Sequence, residues 1–436
     1  MIARRGSVAL SAAQFLADVR RVAATLPPAR HVLNACADRY HFSVGFAACL
    51  VSGRVSLLPS THTPEMMRQL RAFAPDVVCL TDEDDCSIEL PRVRCAAAPQ
   101  PAADAATLAV PQIDAAQLAA IVFTSGSTGT PVPYRKSFGR LIACVREEAA
   151  RLGLPGHCTL VATVPAQHMY GFESSVLLAL ANGHALCAER PFYPADIAAV
   201  LGAVPAPRVL ISTPVHLRAL LASGVVLPPM ELILCSTAPL AQQLAAETEQ
   251  RCATRLLEIY GSTETGQIAV RRPTRTPEWT LWPGVTLSLE GEATWARGGH
   301  IEQPTRMCDV LQSTGEGRFL LHGRVSDLVN IAGKRSSLAY LNHQLNSIPG
   351  VQDGAFFHLE ESRTTHTGVA RLGACVVAPG LDAARVLEAL RERIDPAFLP
   401  RPLLLVARLP RNSTGKLPQE ALRSLAAAQG KTATVA

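Results

Sequence analysis

The sequence predicts an α/β protein in two unequal parts: a large N-terminal domain of parallel-rich sheets with helices and a small β-rich part, then a small α+β C-terminal domain. Three observations predict it. Short apolar runs alternate with helical patterns through about residue 260; the composition then changes to Gly, Thr, Glu and short strand patterns over 285–319; and a new series of strands and helices begins beyond Gly323. At 436 residues the chain is also too long for one ordinary core.

Taken in order, Met1-Ile2-Ala3-Arg4-Arg5 has the basic start of a leader. Ser11, Gln14 and Asp18 break the apolar run that a leader needs, so 11–24 reads as a short amphipathic helix. Apolar runs at 30–35, 41–55 and 77–80 come next, and 66–73 has helical spacing ended by Ala74-Pro75-Asp76. This is the grammar of strand, helix, strand that builds a parallel sheet. Residues 96–106 are Ala/Pro-rich without periodicity and read as a surface linker.

An apolar run at 118–122 then enters Phe123-Thr124-Ser125-Gly126-Ser127-Thr128-Gly129-Thr130-Pro131. An amphipathic helix is expected over 137–152, strands at 159–164, 209–212, 232–235 and 255–259, and helices over 172–181 and 240–252. The last unit has a strand near Val329, a helix over 340–348, strands at 355–358 and 373–377, a helix over 382–394 and a strand at 403–406. The Ala/Thr-rich tail after Ala426 is expected to fray.

Lys plus Arg number 41 against 36 Asp plus Glu, a net charge of +5 with no basic block, so no dedicated nucleic-acid surface is expected. The twelve cysteines stand singly, without a Cys-x-x-Cys pair or zinc spacing, and read as small buried residues in a reducing cytoplasm. No apolar run reaches the roughly 18 residues of a membrane helix, so no membrane insertion and a soluble, cytoplasmic protein are expected.

Four stretches carry chemistry. In the first, the hydroxyls of Thr124, Ser125, Ser127 and Thr128 and the backbone freed by Gly126 and Gly129 suit the oxygens of a polyphosphate. In the second, Tyr260-Gly261-Ser262-Thr263-Glu264, a carboxylate suited to Mg²⁺ sits among hydroxyl donors. The third, Gly323-Arg324-Val325-Ser326-Asp327, places an Arg and an Asp at the junction with the last unit; the fourth, Pro410 through Gly415, ends on Lys416. Each alone is matched by a bland alternative: a solvated turn, a capped glutamate, a surface salt bridge, a solvated lysine. A P-loop ATPase is set aside, since Gly-x-x-x-x-Gly-Lys-Ser/Thr is absent.

In this order and spacing the stretches resemble the adenylate-forming superfamily of acyl-CoA synthetases, peptide-synthetase adenylation domains and luciferase, over about residues 40–425. The resemblance implies an ATP- and Mg²⁺-dependent ligase that forms an acyl-adenylate, releases pyrophosphate, and hands the acyl group to a thiol. It implies domains at 1–326 and 327–436, the second mobile about a hinge at Asp327 and bearing the catalytic Lys416. Thr263 and Glu264 would act with Lys416, Glu264 holding the metal. ATP would contact the loop Thr124 to Gly129, Lys136, Thr237, Ala238, Tyr260, Gly261, Ser262, Asp309 and Arg324, with Asp309 on the ribose. His168, Tyr170, Gly171, Ser236 and Gly261 would line the acyl or aryl pocket.

Three positions depart from the family pattern. Val132 succeeds Pro131 where a lysine is usual, leaving Arg135-Lys136 as the nearest basic pair; Asp309 lacks a preceding Thr-Gly; and Asn330 stands where lysine is common. The variant Thr-Gly-Thr-Pro-Val-Pro-Tyr-Arg-Lys is similar to stand-alone ligases of aryl-polyene and xanthomonadin pigment clusters, which load 3- or 4-hydroxybenzoate onto an acyl carrier protein. The partners so implied are a small carboxylic acid and either acyl carrier protein or CoA. A fatty acyl ligase and a non-catalytic acyl- or nucleotide-binding relative are the alternatives.

Overall fold

The computed structural model describes residues 1–59, 61–95, 109–125, 131–291, 293–324, 328–331, 334–359, 371–411 and 417–432. Two sheets dominate its N-terminal part. The larger has eleven strands and a parallel centre: Ala185–Cys187, Thr159–Ala162, Arg208–Ser212, Leu232–Cys235 and Leu256–Ser262 lie side by side in the same direction. Antiparallel strands Gly266–Arg271, Trp279–Leu281, Arg318–Arg324 and Asp309–Gly315 extend it on one side. The smaller sheet has six strands, in the order Arg92–Arg94, Val78–Thr81, His31–Asn34, Val55–Leu58, Leu118–Ser125 and Pro131–Ser137.

Strands buried on both faces read as unbroken apolar runs. Leu232, Ile233, Leu234 and Cys235 are completely buried, which is why that strand is found where the sequence places it. Helix starts track their capping residues: Ser11 accepts from the Gln14 amide, Thr63 from that of Met66 ahead of a proline in the first turn, and Thr213 from that of His216.

The expected β-rich part is a three-stranded sheet, Val285–Glu290, Ala293–Gly298 and Thr305–Arg306. The C-terminal part has its own apolar clusters, including Leu341, Phe356, Val376, Val386 and Leu390, around a sheet of Asp353–His358, Leu372–Val377 and Leu403–Leu405. No helix among the described residues is long and apolar enough to cross a membrane. Most of the cysteines are buried as expected; Cys308 is exposed.

Three expectations need correction. The run at 41–55 is a helix, Arg39–Val51, leading to the strand Val55–Leu58. That helix is buried on nearly every side, so no polar face remains to reveal its period. The helix expected over 172–181 begins as a π-turn, Phe172–Leu177, before the regular Leu178–Asn182. The tail does not fray directly after Ala426, because helix Gln419–Thr432 continues as far as Thr432, with Leu422, Leu425 and Ala426 in an apolar cluster; 433–436 lie outside the described residues. The whole of the linker at 96–106 and its continuation to 108 lie outside the described residues.

Candidate active site

Parallel strands all end on the same side of their sheet, and the segments leaving those ends gather there. After Thr159–Ala162 comes the segment with His168, Tyr170 and Gly171; after Leu232–Cys235 come Ser236, Thr237 and Ala238; and Leu256–Ser262 carries Tyr260, Gly261 and Ser262 into Thr263 and Glu264. The topology thereby brings three separate sequence stretches to one carboxyl edge. Strand Leu118–Ser125 of the other sheet delivers Thr124, and its antiparallel return, Pro131–Ser137, runs from there to the Glu264 turn.

The edge is tightly specified. Gly261 pairs with Gln267 across the strand pair 256–262 and 266–271, at a register shift, and a Cβ on it would collide with the Gly266 carbonyl oxygen. The Tyr260 hydroxyl donates to Asp309 Oδ2 at 2.6 Å, while its ring packs against Trp279 and Phe319 with centroids 5.5 and 5.6 Å away. Asp309 is itself the register partner of Arg324 in the hairpin. Two expected nucleotide residues far apart in sequence thus touch, and a third stands opposite them. Thr237 has φ of +82°, a conformation that a β-branched residue adopts only under local constraint, and Ser236 Oγ beside it donates to the Ile259 carbonyl at 2.9 Å.

The expected acyl segment is anchored from below by Arg39, which is 1% exposed. Its guanidinium donates to Ser175 Oγ at 2.5 Å and to the carbonyls of Ala162 and Val164 at 3.0 and 2.9 Å. Burial pulls its pKa down to about 10, still a cation at neutral pH. Gly171 packs so closely on Pro165 that a Cβ would strike the Pro165 carbonyl oxygen. Tyr170 is buried and His168 half-buried. Behind them lies a polar cluster absent from the expected site: Thr163 Oγ1 meets Ser212 Oγ at 3.1 Å and His216 Nδ1 at 3.0 Å, and burial holds that imidazole's pKa low.

Lys136 is 5% exposed, and its Nζ donates to the Glu264 carbonyl at 2.8 Å. Burial lowers its pKa, opposed by the charges of Glu173, Cys144, Glu302 and Glu264. Glu173 is wholly buried; burial raises its carboxyl to about 7 against the pull of Lys136. One layer away, burial raises Glu148 to about 8 although Ser174 Oγ donates to it at 2.6 Å. His300 is pushed down to about 4 by burial and by Lys136.

Sequence reasoning missed Glu173, Glu148 and His300. A signal existed for two of them. Glu148 falls on the apolar face set by Leu141, Val145 and Leu152 of helix Phe138–Leu152, and Glu173 is the lone acid in an apolar run.

Gly126, Ser127, Thr128 and Gly129 of the phosphate loop, the hinge Asp327, and Lys416 lie outside the described residues; of Ser125 and Arg324 only the backbone is described. At the fringe of the Lys416 stretch, Arg411 makes two hydrogen bonds to Asp353, at 2.9 and 2.8 Å, with Arg218 Nη2 at 3.9 Å from the same carboxylate. A magnesium ion fits the donor set. Glu264 is half-buried, its carboxylate has no ion-pair partner among the described residues, and its charge adds to burial in raising the phenol of Tyr134, on the strand leaving the phosphate loop.

Comparisons with known proteins agree with this architecture. Two curated relatives are 4-coumarate–CoA ligases: that of Rhodobacter capsulatus is 31% identical over 63% of this chain and 67% of its own, and that of Halorhodospira halophila 32% over 67% and 73%. A 4-chlorobenzoate–CoA ligase from an Arthrobacter species is 24% identical over 70% of this chain and 65% of its own. Among solved structures, ATP-bound MatB from Rhodopseudomonas palustris superposes with a TM-score of 0.78 at 19% identity, covering 95% of this chain and 92% of that one. The o-succinylbenzoate–CoA synthetase MenE from Bacillus subtilis, in complex with AMP, gives 0.79 at 17% identity over 97% and 95%. These two show a shared fold. The sequence pattern of the AMP-binding enzymes matches residues 2–307, most of the chain, and the protein therefore belongs to the AMP-binding enzyme family.

Proposed function

We propose that this AMP-forming acid–thiol ligase activates a small aromatic carboxylic acid, a hydroxybenzoate being the first choice, and passes it to the phosphopantetheine thiol of an acyl carrier protein or CoA. The observation that carries the reading is the edge where Tyr260 holds Asp309 and Glu264 stands beside the strand leaving the phosphate loop. Attack of a carboxylate on the α-phosphate of ATP brings two anions together, so the site must supply positive charge and hydrogen-bond donors where charge develops. Tyr260 orients Asp309 as a double acceptor for ribose hydroxyls. Thr263 donates to phosphate, and Lys416, on a second domain at 327–436 that turns about Asp327, arrives for adenylation and withdraws for thiol attack. Glu264 would hold the magnesium ion, which would supply neutralising charge to the phosphates.

The aromatic choice is supported by the relatives named for 4-coumarate and 4-chlorobenzoate, and by His168 and Tyr170 at the same edge as Ser236 and Gly261. A relative named for medium-chain fatty acids, from Escherichia coli, is 25% identical over 88% of this chain and marks the competing outcome.

The test is ATP–pyrophosphate exchange across 3- and 4-hydroxybenzoate, 4-coumarate and octanoate, and then thiol transfer to CoA and to loaded carrier protein. Hydroxybenzoate-dependent exchange is expected, falling about a thousandfold in Lys416→Ala while ATP still binds. Exchange with octanoate alone removes the aromatic choice, and no exchange with any acid removes the ligase reading.

A further inference from the structure

Lys136 is the nearest basic residue to stand for the lysine missing after Pro131, and the structure sets its ammonium against the Glu264 turn. Along strand Pro131–Ser137, Val132, Pro133 and Arg135 are exposed, while Lys136 is the one buried position. Its four-carbon stem runs inward, away from solvent, and ends 2.8 Å from the backbone carbonyl of Glu264.

The surroundings are built for a fixed ammonium. Glu173 supplies the strongest counter-charge, and its Oε1 also accepts from Cys144 Sγ at 3.5 Å. Gly266, next to the turn, has φ of +73°, and a Cβ there would lie 2.8 Å from Glu173 Oε1 and 3.4 Å from His300 Nε2. Only glycine lets the carboxylate and the imidazole close on the turn from two sides. Glu173 lies beyond ion-pair distance of the ammonium and desolvation offsets the attraction, so the arrangement gives little net stability. What it does give is a charge-assisted hydrogen bond whose direction cannot drift.

We propose that Lys136 is a positioning residue for adenylation: by holding the Glu264 carbonyl from inside the protein, backed by Glu173 and His300 around Gly266, it sets the peptide plane of Glu264 and so aims that carboxylate at the metal-bound phosphates. The proposal rests on the adenylation reading above. It differs from a phosphate-binding lysine in a measurable way. A phosphate ligand contributes to ATP affinity whether or not magnesium is present, whereas a lysine that aims Glu264 contributes only through the metal.

The experiment compares wild type, Lys136→Met, Glu173→Gln and the double variant Lys136→Met/Glu173→Gln in the full chain. Lys136→Met leaves Glu173 buried without its cation and is expected to lower the melting temperature; the double variant removes that orphaned charge and restores it. Exchange kcat is expected to fall about tenfold to hundredfold in both variants that lack the lysine, since small misplacements of a reacting group cost that much. Calorimetry without acid substrate is expected to show ATP affinity unchanged in the absence of magnesium and the gain from magnesium diminished. Amide hydrogen exchange at 262–265 is expected to accelerate in both. Recovery of kcat in the double variant, or an equal loss of ATP affinity without magnesium, overturns the proposal. If wild type itself shows no exchange with any acid, the ligase reading fails; the calorimetry and amide exchange still decide whether Lys136 acts through Glu264.

Discussion

The two ends of strand Leu256–Ser262 are held by different chemistry. At its start, Glu258 accepts from Arg271 Nε at 2.7 Å and from the Leu240 amide at 3.0 Å. Nearby, Glu249 accepts from two nitrogens of Arg272, from Thr274 and from the Leu256 amide. Burial would raise the Glu249 carboxyl, and these donors outweigh it and bring its pKa below the usual value. Arg271 also lies 4.5 Å over the Trp279 ring. At its end, the strand meets Gly261, the Tyr260–Asp309 bond and a turn held by one buried lysine, with two carboxyls raised to about 7 and 8 behind it. The start satisfies each carboxylate with several donors and serves stability. At the end, Glu173 and Glu148 have no ion-pair partner among the described residues and burial lifts them to about 7 and 8, as at functional sites; burial raises Glu258 as well, in spite of its Arg271 partner.

The contrast is sharpened most by Glu264→Gln. It is expected to lower adenylation by two to three orders of magnitude, about 3–4 kcal/mol of transition-state stabilisation, while leaving the melting temperature within the range of a surface substitution. A large fall in stability instead would make the turn structural. Arg271→Leu should behave in the opposite way. Removing the cation leaves Glu258 buried and unpaired, for a loss of about 2–3 kcal/mol in urea unfolding with kcat for exchange retained; lost kcat in a folded variant would erase the distinction between the two ends.

Glu148→Gln gives the smallest effect, and its sign comes from burial. The Glu148 pKa is raised to about 8 in the folded chain, against 4.5 for the ordinary group. The native state therefore holds a proton that the unfolded chain releases, and the stability this provides is full below about 4.5 and is lost as pH rises through 8. Melting temperatures from pH 5 to 9 should decline less steeply in Glu148→Gln than in wild type; Glu173, shifted the same way, keeps part of the slope. Identical slopes would place the ionisation elsewhere.

Much of the fold was legible because its signals are local. Leu232–Cys235 and Arg208–Ser212 are apolar because both faces of the sheet are covered, and the Tyr260–Glu264 stretch keeps its residue types whatever surrounds it. Helix Arg39–Val51 was missed for the same physical reason that made those strands visible: complete burial removes the polar positions that report a period.

Sequence by itself determined the α/β class and the order of the sheet-forming runs, since these depend on propensity and apolar pattern, while the residues proposed for a nucleotide rest on the motif resemblance. Only the tertiary structure decided that Tyr260 meets Asp309 and that Lys136 turns inward to Glu264, a residue 128 positions away, instead of outward to solvent. A lysine's long stem is compatible with either direction. The pleat of its strand and the buried carboxylate of Glu173 choose between them, and neither is visible until the two sheets are packed together.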